Sequence, residues 1–334
     1  MHLQERIRLL VELGKYMESN QEEWMNAKTK AYEDNSWFEP EFIHLAIQNI
    51  AAEFLHENKL KSWTKQYGLS DQNTNPKNIG LVMAGNIPLV GFHDFLCIFI
   101  SGHRQVIKCS SKDQSLITSL VKKIYSLNEE ARSLIKFSDM LKGCDAYIAT
   151  GSNNTARYFE YYFGKYPSII RRNRTSVAIL NGKEGPKELE LLANDICQYF
   201  GLGCRNITKI LVPKGYDFVP LFEAFSKYAW MADHHKYKNN YDYQLTLLIL
   251  NKEYYMTNKV IILAERKSPF SAISVLHYEF YTSSAGLLSV KPGVGEIQTV
   301  AGAGFTPFGD SQRPGLNDYA DGIDTLKFLK ELHS

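Results

Sequence analysis

One cysteine lies in a segment whose composition favours a reactive thiol. Cys204 follows two glycines, Gly201 and Gly203, which let the backbone turn tightly and let a substrate come close. Arg205 comes next, and a neighbouring cation lowers the pKa of a thiol and raises its thiolate fraction. The apolar run 207–212 then predicts a strand. The pattern favours a presented nucleophile; the alternative is a buried small hydrophobic residue, as free cysteines usually are.

The other four cysteines lack such a setting. Cys97 and Cys197 lie in apolar helical runs. Cys109 and Cys144 lie near predicted strands, so we expect all four in the core. No two cysteines have a Cys-x-x-Cys spacing, and the odd count of five fits a reducing compartment better than a disulfide framework.

Composition narrows the class of protein. A chain of 334 residues is long enough for two domains of ~100–200 residues each. Its 38 Lys and Arg residues nearly balance 36 Asp and Glu, and a net charge of +2 does not mark a binder of nucleic acid or acidic membranes. Residues 1–6 carry no signal-peptide pattern, and the longest apolar stretch, 87–101, is too short to span a bilayer. We therefore expect a soluble cytoplasmic protein without an integral membrane segment.

Strands and helices alternate along most of the sequence. Apolar periodicity predicts one helix over 3–31 and a second that begins near Pro40. Strands are predicted at 79–84, 105–109, 145–150, 176–180, 207–212, 244–250, 259–263 and 273–277. Helices are predicted from 110–113 to 125, from 151 to 163, and over 186–200 and 216–229. Repeated strand–turn–helix order is typical of a parallel α/β sheet.

Ligands of such sheets bind at the carboxyl ends of the strands, where three polar turns lie. They are Gly85-Asn86-Ile87-Pro88, Lys108-Cys109-Ser110-Ser111 and Thr150-Gly151-Ser152. Each has an ordinary interpretation as well. Asn86 suits a simple turn, Lys108 a solvated strand end and Ser152 a helix N-cap. His93 is either a proton donor near Asn86 or a structural histidine.

The order of these motifs resembles the aldehyde dehydrogenase superfamily. Its members carry an Asn-x-Pro turn, a Lys-Pro-Ser strand end, a Thr-Gly-Ser turn and a Gly-x-x-Cys nucleophile, and 307–310 looks like its Pro-Phe-Gly-Gly loop. Segments 37–63, 85–88 and 200–206 resemble in particular the fatty acyl-CoA reductases of the bacterial luminescence system and their shorter non-luminous relatives. The resemblance implies two Rossmann-like α/β lobes with mostly parallel sheets and an N-terminal helical segment. Residues 1–172 would form the dinucleotide-binding lobe and 173–334 the catalytic lobe, with a glycine-rich crossing loop at 301–310.

Two departures from the superfamily pattern bear on the chemistry. Hydrolytic members place a glutamate base before the first strand of the second lobe, whereas 170–174 here contains no acid. NAD-preferring members often have an acid three residues after the lysine, where it would hold both ribose hydroxyls. Here that residue is Ser111, followed by Lys112, which removes the repulsion of a 2′-phosphate and adds a cation. We expect a preference for NADPH.

The resemblance also implies roles for single residues. Cys204 would attack an acyl-CoA thioester, and NADPH would reduce the acyl-enzyme to an aldehyde. The Asn86 amide and the Cys204 backbone N–H would hold the oxyanion. The cofactor would be bound by two groups of residues: Lys108, Ser110 and Ser111 near the ribose, and Gly151 and Ser152 near the pyrophosphate.

Several alternatives stay open. The acyl group could come from an acyl-CoA, from an acyl phosphate or from an acyl-activating synthetase partner. A separate alternative is a non-catalytic subunit of the same fold. We expect a homo-oligomer. We expect no metal site, because His234 and His235 are adjacent rather than spaced along one helix face. The tyrosine-rich segment 237–243 is interpreted as an ordered polar loop or as part of the acyl or CoA entrance.

Overall fold

The computed structural model describes residues 1–282 and 295–332. They form two compact units. The first comprises Met1–Asn173 with the chain from Pro314 onward, and the second comprises Arg174–Arg313. Within the described residues, no helix combines the length and apolar character needed to cross a bilayer.

The first unit begins with four helices: α1 (Leu3–Met17), α2 (Glu22–Asp34), α3 (Pro40–Phe54) and α4 (Glu57–Gln66). The predicted helix over 3–31 is thus two helices. The predicted start of the next helix is correct, with Pro40 in its first turn, where a missing N–H costs nothing. Leu9, Leu10 and Leu13 of α1 are fully buried and anchor this layer in the core.

A five-stranded parallel sheet completes the first unit. Its elements are β1 (Asn78–Val82), α5 (Phe92–Ser101), β2 (Arg104–Lys108), α6 (Ser115–Leu127), β3 (Ile135–Phe137), β4 (Ala146–Thr150), α7 (Asn153–Phe163) and β5 (Ser168–Arg171). The strand order is β3-β2-β1-β4-β5, and every neighbouring pair is parallel. Because the order reverses at β1, the ends of β1, β2 and β4 lie together at one edge, where such sheets bind ligands.

The second unit contains a six-stranded sheet. Its elements are β6 (Thr175–Ile179), α8 (Pro186–Cys197), β7 (Ile207–Pro213), α9 (Val219–Ala224), α10 (His235–Leu250), β8 (Met256–Thr257), β9 (Ile262–Glu265), β10 (Val275–Tyr281) and β11 (Ile297–Gly302). Among the described strands of this unit the order is β11-β6-β7-β10-β9-β8, with the β8–β9 pair at the edge antiparallel and the other neighbouring pairs parallel. Two α/β units with mostly parallel sheets and leading helices confirm the predicted fold class.

Helix α10 corrects two predictions from the sequence. Residues 237–243 are helical rather than an ordered loop, and the strand predicted at 244–250 is the second half of the same helix. Tyr237, Tyr241 and Leu248 are buried on one side of α10, which is the physical reason for the helix. The hydroxyl of Tyr237 donates to the Val260 carbonyl at 3.0 Å, so its polar end is satisfied in the interior.

The C-terminal segment also differs from the predicted domain division. The unit boundary follows Asn173, next to the predicted division at 172/173, but residues from Pro314 onward belong to the first unit rather than the second. Helix α11 (Thr325–Glu331) packs against α5. The Thr325 hydroxyl accepts a 2.7 Å hydrogen bond from the guanidinium of Arg171 on β5, so buried polar contacts hold this segment in place.

Candidate active site

Cys204 lies in the turn that leads into β7 and is partly exposed. Its carbonyl oxygen accepts a hydrogen bond from the Ser176 hydroxyl of β6 at 3.0 Å. The same hydroxyl accepts from the backbone N–H of Thr299 on β11 at 3.0 Å. One buried serine therefore fixes the main chain of Cys204 to two strands of the sheet.

Asn206 holds the turn from the other side and is fully buried. Its Nδ2 donates to the carbonyls of Asp195, Ile196 and Gln198, at 3.0, 3.3 and 2.8 Å. Its Oδ1 accepts from the backbone N–H of Gly203 at 2.8 Å. The side chain thus satisfies the open carbonyls at the end of α8 and clamps the glycine before the cysteine.

The backbone before the cysteine is left-handed over three residues. Tyr199 and Phe200 have φ of 54° and 55°, and Gly201 has φ of 75°. Such a conformation suits Gly201 but costs free energy at the two aromatic residues. Packing compensates, because the Phe200 ring lies against those of His234 and Trp230, with centroids 4.5 and 5.7 Å apart. The helix predicted over 186–200 therefore ends at Cys197, before this loop.

The Arg205 side chain, next to Cys204 in sequence, is held by a hydrogen bond to β11. Its guanidinium donates to the Thr299 hydroxyl at 3.2 Å, and so binds β11. The prediction that Arg205 lowers the pKa of the Cys204 thiol stays a prediction.

The other four cysteines are poor nucleophiles. Burial raises the pKa of the Cys109 thiol to about 12. Burial also raises the pKa of the Cys97, Cys144 and Cys197 thiols. Since the thiolate is the attacking form, these four are unsuited to the chemistry proposed for Cys204.

The first unit carries the Asn86 turn at the end of β1. Asn86 is exposed and follows Gly85, where a β-carbon would lie 2.6 Å from the Ser110 hydroxyl oxygen. Only glycine fits this position, because any side chain would collide with the neighbouring turn. Val82 and Lys108 are paired in register, so the turns after β1 and β2 are adjacent.

The predicted cofactor residues occupy the same sheet edge. Lys108 and Ser111 are exposed, and the Ser110 hydroxyl, partly buried, accepts from the N–H of Lys112 at 3.2 Å. This hydrogen bond shapes the loop between β2 and α6. Helix α6 begins at Ser115, later than the predicted start at 110–113.

The turn after β4 opens α7, a helix of 11 residues. The Ser152 hydroxyl accepts from the N–H of Thr155 at 3.2 Å, so Ser152 is the N-cap. A β-carbon on Gly151 would come within 3.0 Å of Thr155 and Phe159. Backbone N–H groups and the positive end of the helix dipole at this point suit a phosphate.

The predicted histidines have structural roles. His93 Nε2 lies 3.0 Å from the Leu316 carbonyl, and its ring packs against Phe54 and Tyr319, with centroids 5.0 and 5.3 Å apart. His234 caps α10 by accepting from the N–H of Tyr237 at 3.3 Å. In the described part of the chain, no three histidine, cysteine or acidic side chains cluster so as to hold a metal ion.

Arg171 occupies the stretch in which hydrolytic relatives of the superfamily would carry an acid. Its guanidinium forms a buried ion pair with Asp94 of α5. Burial and the polar partners hold Arg171 within the core, and nothing in 170–174 is chemically able to act as a general base.

Asp195 lies in α8, is fully buried, and was not among the residues predicted for the site. Its carboxylate accepts from the backbone N–H groups of Gly309 and Ser311, at 2.7 and 3.2 Å. Burial raises the pKa of Asp195 to about 7. An acid inside an amphipathic helix is the only signal in the sequence, and it does not identify the partner.

Comparison with known proteins places the fold and the family. No curated protein matches the sequence at a significant level. The fold is similar to the NAD-dependent aldehyde dehydrogenase of Sinorhizobium meliloti, at 11% identity and a TM-score of 0.61 over 86% of this chain and 68% of that one. It is also similar to the succinic semialdehyde dehydrogenase of Streptococcus pyogenes, solved with NADP+, at 15% identity and a TM-score of 0.62 over 85% and 73% of the two chains. These likenesses confirm the aldehyde-dehydrogenase-like fold.

A family model adds to the likeness in fold. The model of the acyl-CoA reductase (LuxC) family matches residues 8–221, which include the Asn86 turn, the cofactor residues predicted from the sequence, and Cys204. The match spans more than half of the chain and confirms the resemblance seen in the sequence. The chain therefore belongs to the acyl-CoA reductase (LuxC) family of oxidoreductases.

Proposed function

We propose that this protein reduces a fatty acyl-CoA thioester to the aldehyde with NADPH, through an acyl-enzyme on Cys204, and releases CoA. The setting of Cys204 carries the proposal. It is partly exposed in a turn fixed by Ser176 and Asn206. Cys109 is partly exposed as well, but burial raises the pKa of its thiol and of the three buried cysteine thiols. Membership of the acyl-CoA reductase family supports the same assignment.

The first half of the reaction transfers the acyl group. The Cys204 thiolate attacks the thioester carbon, its new C–S bond forms, and the bond to the CoA sulfur breaks. The CoA thiolate leaves and takes up a proton. Nothing in 170–174 would activate water against the acyl-enzyme, since this stretch has no acid and Arg171 is committed to Asp94. The acyl group is thereby kept for reduction rather than hydrolysis.

The second half regenerates the thiol. Bound NADPH would supply the hydride that reduces the acyl carbon. The C–S bond to Cys204 then breaks, the aldehyde leaves, and the Cys204 thiolate is restored. In both halves negative charge builds on the former carbonyl oxygen, and we assign the Asn86 side-chain amide and the Cys204 backbone N–H as its donors.

The residues of the first unit fit a phosphorylated dinucleotide. Lys108 and Lys112 are exposed cations at the end of β2, and Ser111 between them carries no charge that would repel a 2′-phosphate. Gly151 and the Ser152-capped start of α7 offer backbone N–H groups for the pyrophosphate. These features support the first unit as the dinucleotide-binding domain and the second as the catalytic domain.

The wider setting is proposed on the same basis. We propose fatty acid metabolism in the cytoplasm, a homo-oligomeric enzyme, and an acyl-activating synthetase as the partner that supplies the acyl group. Fatty acid metabolism and the synthetase partner follow from the resemblance in sequence, and the cytoplasmic location follows from the cysteine pattern. Each proposal is open to direct test by fractionation, sedimentation or co-purification.

The decisive experiment is a substrate panel. Purified protein is mixed with NADPH and acyl-CoA thioesters of increasing chain length, and the loss of NADPH absorbance, the aldehyde and the free CoA thiol are measured. Equal amounts of aldehyde and CoA would support the proposal, and Cys204→Ala is the inactive control. Turnover of acyl phosphates but not of acyl-CoA would show that the acyl donor is an acyl phosphate. No turnover of either would favour a non-catalytic subunit.

A further inference from the structure

A buried carboxyl group connects the Asn86 turn to the neighbouring loop. Asp113 lies between β2 and α6 and is 7% exposed. Its Oδ2 accepts a 2.7 Å hydrogen bond from the backbone N–H of Leu89, three residues after Asn86. The Asn86 turn is therefore tied at its far end to the loop that contains the predicted cofactor residues.

The conformation of Leu89 needs such a tie. Its φ is 55°, in the left-handed region that a leucine rarely adopts. A conformation of this kind persists only where its surroundings enforce it. The hydrogen bond to Asp113 fixes the peptide that enters Leu89, and so supplies part of that enforcement.

The near end of the turn is held by packing against the same loop. At Gly85 a β-carbon would lie 2.6 Å from the Ser110 Oγ and 3.3 Å from the Asp113 Cβ. The backbone N–H of Asp113 donates to the Ser110 carbonyl at 3.1 Å, which closes the loop on itself. Gly85 and Leu89, on either side of Asn86, both rest on the segment 110–113.

The chemistry of Asp113 is not explained by packing alone. Its Oδ1 has no hydrogen-bond partner within the described residues. Burial raises the pKa of its carboxyl well above the ordinary value, so the group suits a neutral acid. A buried polar group with one unsatisfied oxygen costs stability that an apolar residue of similar size would not. Among the described residues, the hydrogen bond from the Leu89 N–H is the side-chain interaction of Asp113 that offsets part of this cost.

We propose that Asp113 is a positioning residue for the reduction: it holds the Asn86 turn in the conformation that aims the Asn86 amide at the oxyanion. The inference rests on the proposed function, in which Asn86 donates to that oxygen. Asp113 acts through the Leu89 backbone and does not touch the reacting atoms. A turn that relaxes by about 1 Å is enough to cost on the order of 100-fold in rate.

Two substitutions at this position give the test. Asp113→Ala removes the acceptor, and we expect kcat to fall about 10- to 100-fold while KM for acyl-CoA and the affinity for NADPH change little. Asp113→Asn keeps an acceptor for the Leu89 N–H, and we expect it to restore kcat to near the wild-type value. Gln105→Leu is the matched control. Gln105 is buried on β2 of the same sheet with both amide atoms unpartnered among the described residues, so its loss should leave kcat unchanged.

A folded Asp113→Ala protein with wild-type kcat would overturn the inference, as would an Asp113→Asn protein as impaired as the alanine variant. Should Asp113→Ala fail to fold, the hydrogen-exchange rate of the Leu89 amide tests the inference instead. The Leu89 amide must then be protected in the wild type and in Asp113→Asn, and rapid exchange in the wild type would overturn the inference. A failure of the proposed function looks different, since the wild type itself would then reduce no acyl-CoA.

Discussion

The carboxylate of Asp195 accepts a hydrogen bond from the backbone N–H of Gly309 at 2.7 Å. The backbone carbonyl of Asp195 accepts from the side chain of Asn206, which clamps the turn of Cys204. One residue of α8 therefore holds both the loop that resembles the superfamily's Pro-Phe-Gly-Gly motif and the turn of the proposed nucleophile.

The Asp195 carboxyl makes the stability of the second unit dependent on pH. Burial raises its pKa from 3.8 to about 7, so the folded protein binds the proton more tightly than the unfolded chain. The stabilisation is complete below pH 4 and is lost as pH rises through 7, by up to about 4 kcal/mol. Urea unfolding from pH 4 to 8 should show the free energy of unfolding of the wild type falling relative to that of Asp195→Asn, because the amide at position 195 cannot lose a proton. Parallel pH curves for the two proteins would contradict this assignment.

Asn206 should matter to both folding and acylation. Asn206→Ala leaves three carbonyls and the Gly203 N–H without their buried partner, and we expect a loss of about 2–3 kcal/mol in the free energy of unfolding. The rate of Cys204 acylation should fall as well, because the turn is released. Denaturant unfolding and single-turnover labelling measure the two effects. Asn251→Ala, at an exposed position of the second unit, is the control and should change neither.

Labelling tests the nucleophile directly. Incubation with a labelled acyl-CoA in the absence of NADPH should leave a thioester on Cys204, found by mass spectrometry of its peptide. Cys204→Ala should lose the label and the reductase activity while its thermal melt is preserved. Cys197→Ala should keep both, because burial raises the pKa of that thiol. A label on Cys97 or Cys197 would contradict the mechanism.

Most of the fold could be predicted from local pattern. The three strand–turn–helix units of the first unit are found within a few residues of their predicted places, because short apolar strands and polar turns are both local signals. The strand predicted at 244–250 was wrong, because an unbroken apolar run of this kind is as typical of a buried strand as of a helix. Its helical state depends on tertiary packing, because Tyr241 and Leu248 cluster with Ile262 and the Tyr237 ring lies against that of Phe200.

The site could be predicted only in part. The glycines and the cysteine before β7 form a local motif, and so do the turns after β1, β2 and β4. Hydrogen bonds such as Asp195 to Gly309 join residues 114 apart in sequence, and one sequence contains no record of such pairing. The same holds for Thr325, which meets Arg171 across 154 residues and so brings the C-terminal helix into the first unit.

Cofactor preference depends on residue 111. The wild type should have a higher kcat/KM with NADPH than with NADH. Ser111→Glu should shift the preference toward NADH, because a carboxylate at this exposed position repels a 2′-phosphate and accepts from ribose hydroxyls. Steady-state kinetics with both cofactors measure the shift, and Ser126→Glu, exposed on α6, controls for added charge. A wild type that used NADH better would refute the expectation.

Asn86 is the sharpest test of the proposed oxyanion donors. Its amide should bind the oxygen more strongly in the transition state than in the bound thioester, and only such differential binding accelerates the chemical step. Asn86→Ala should therefore lower kcat more than it raises KM, with a loss of ~3–4 kcal/mol in transition-state stabilisation. The thermal melt and NADPH affinity should stay normal, because Asn86 is exposed and precedes the buried anchor at Leu89. Asn75→Ala, exposed in the loop before β1, is the matched control. Near-normal turnover of Asn86→Ala would make Asn86 a turn residue only and would require another donor for the oxyanion.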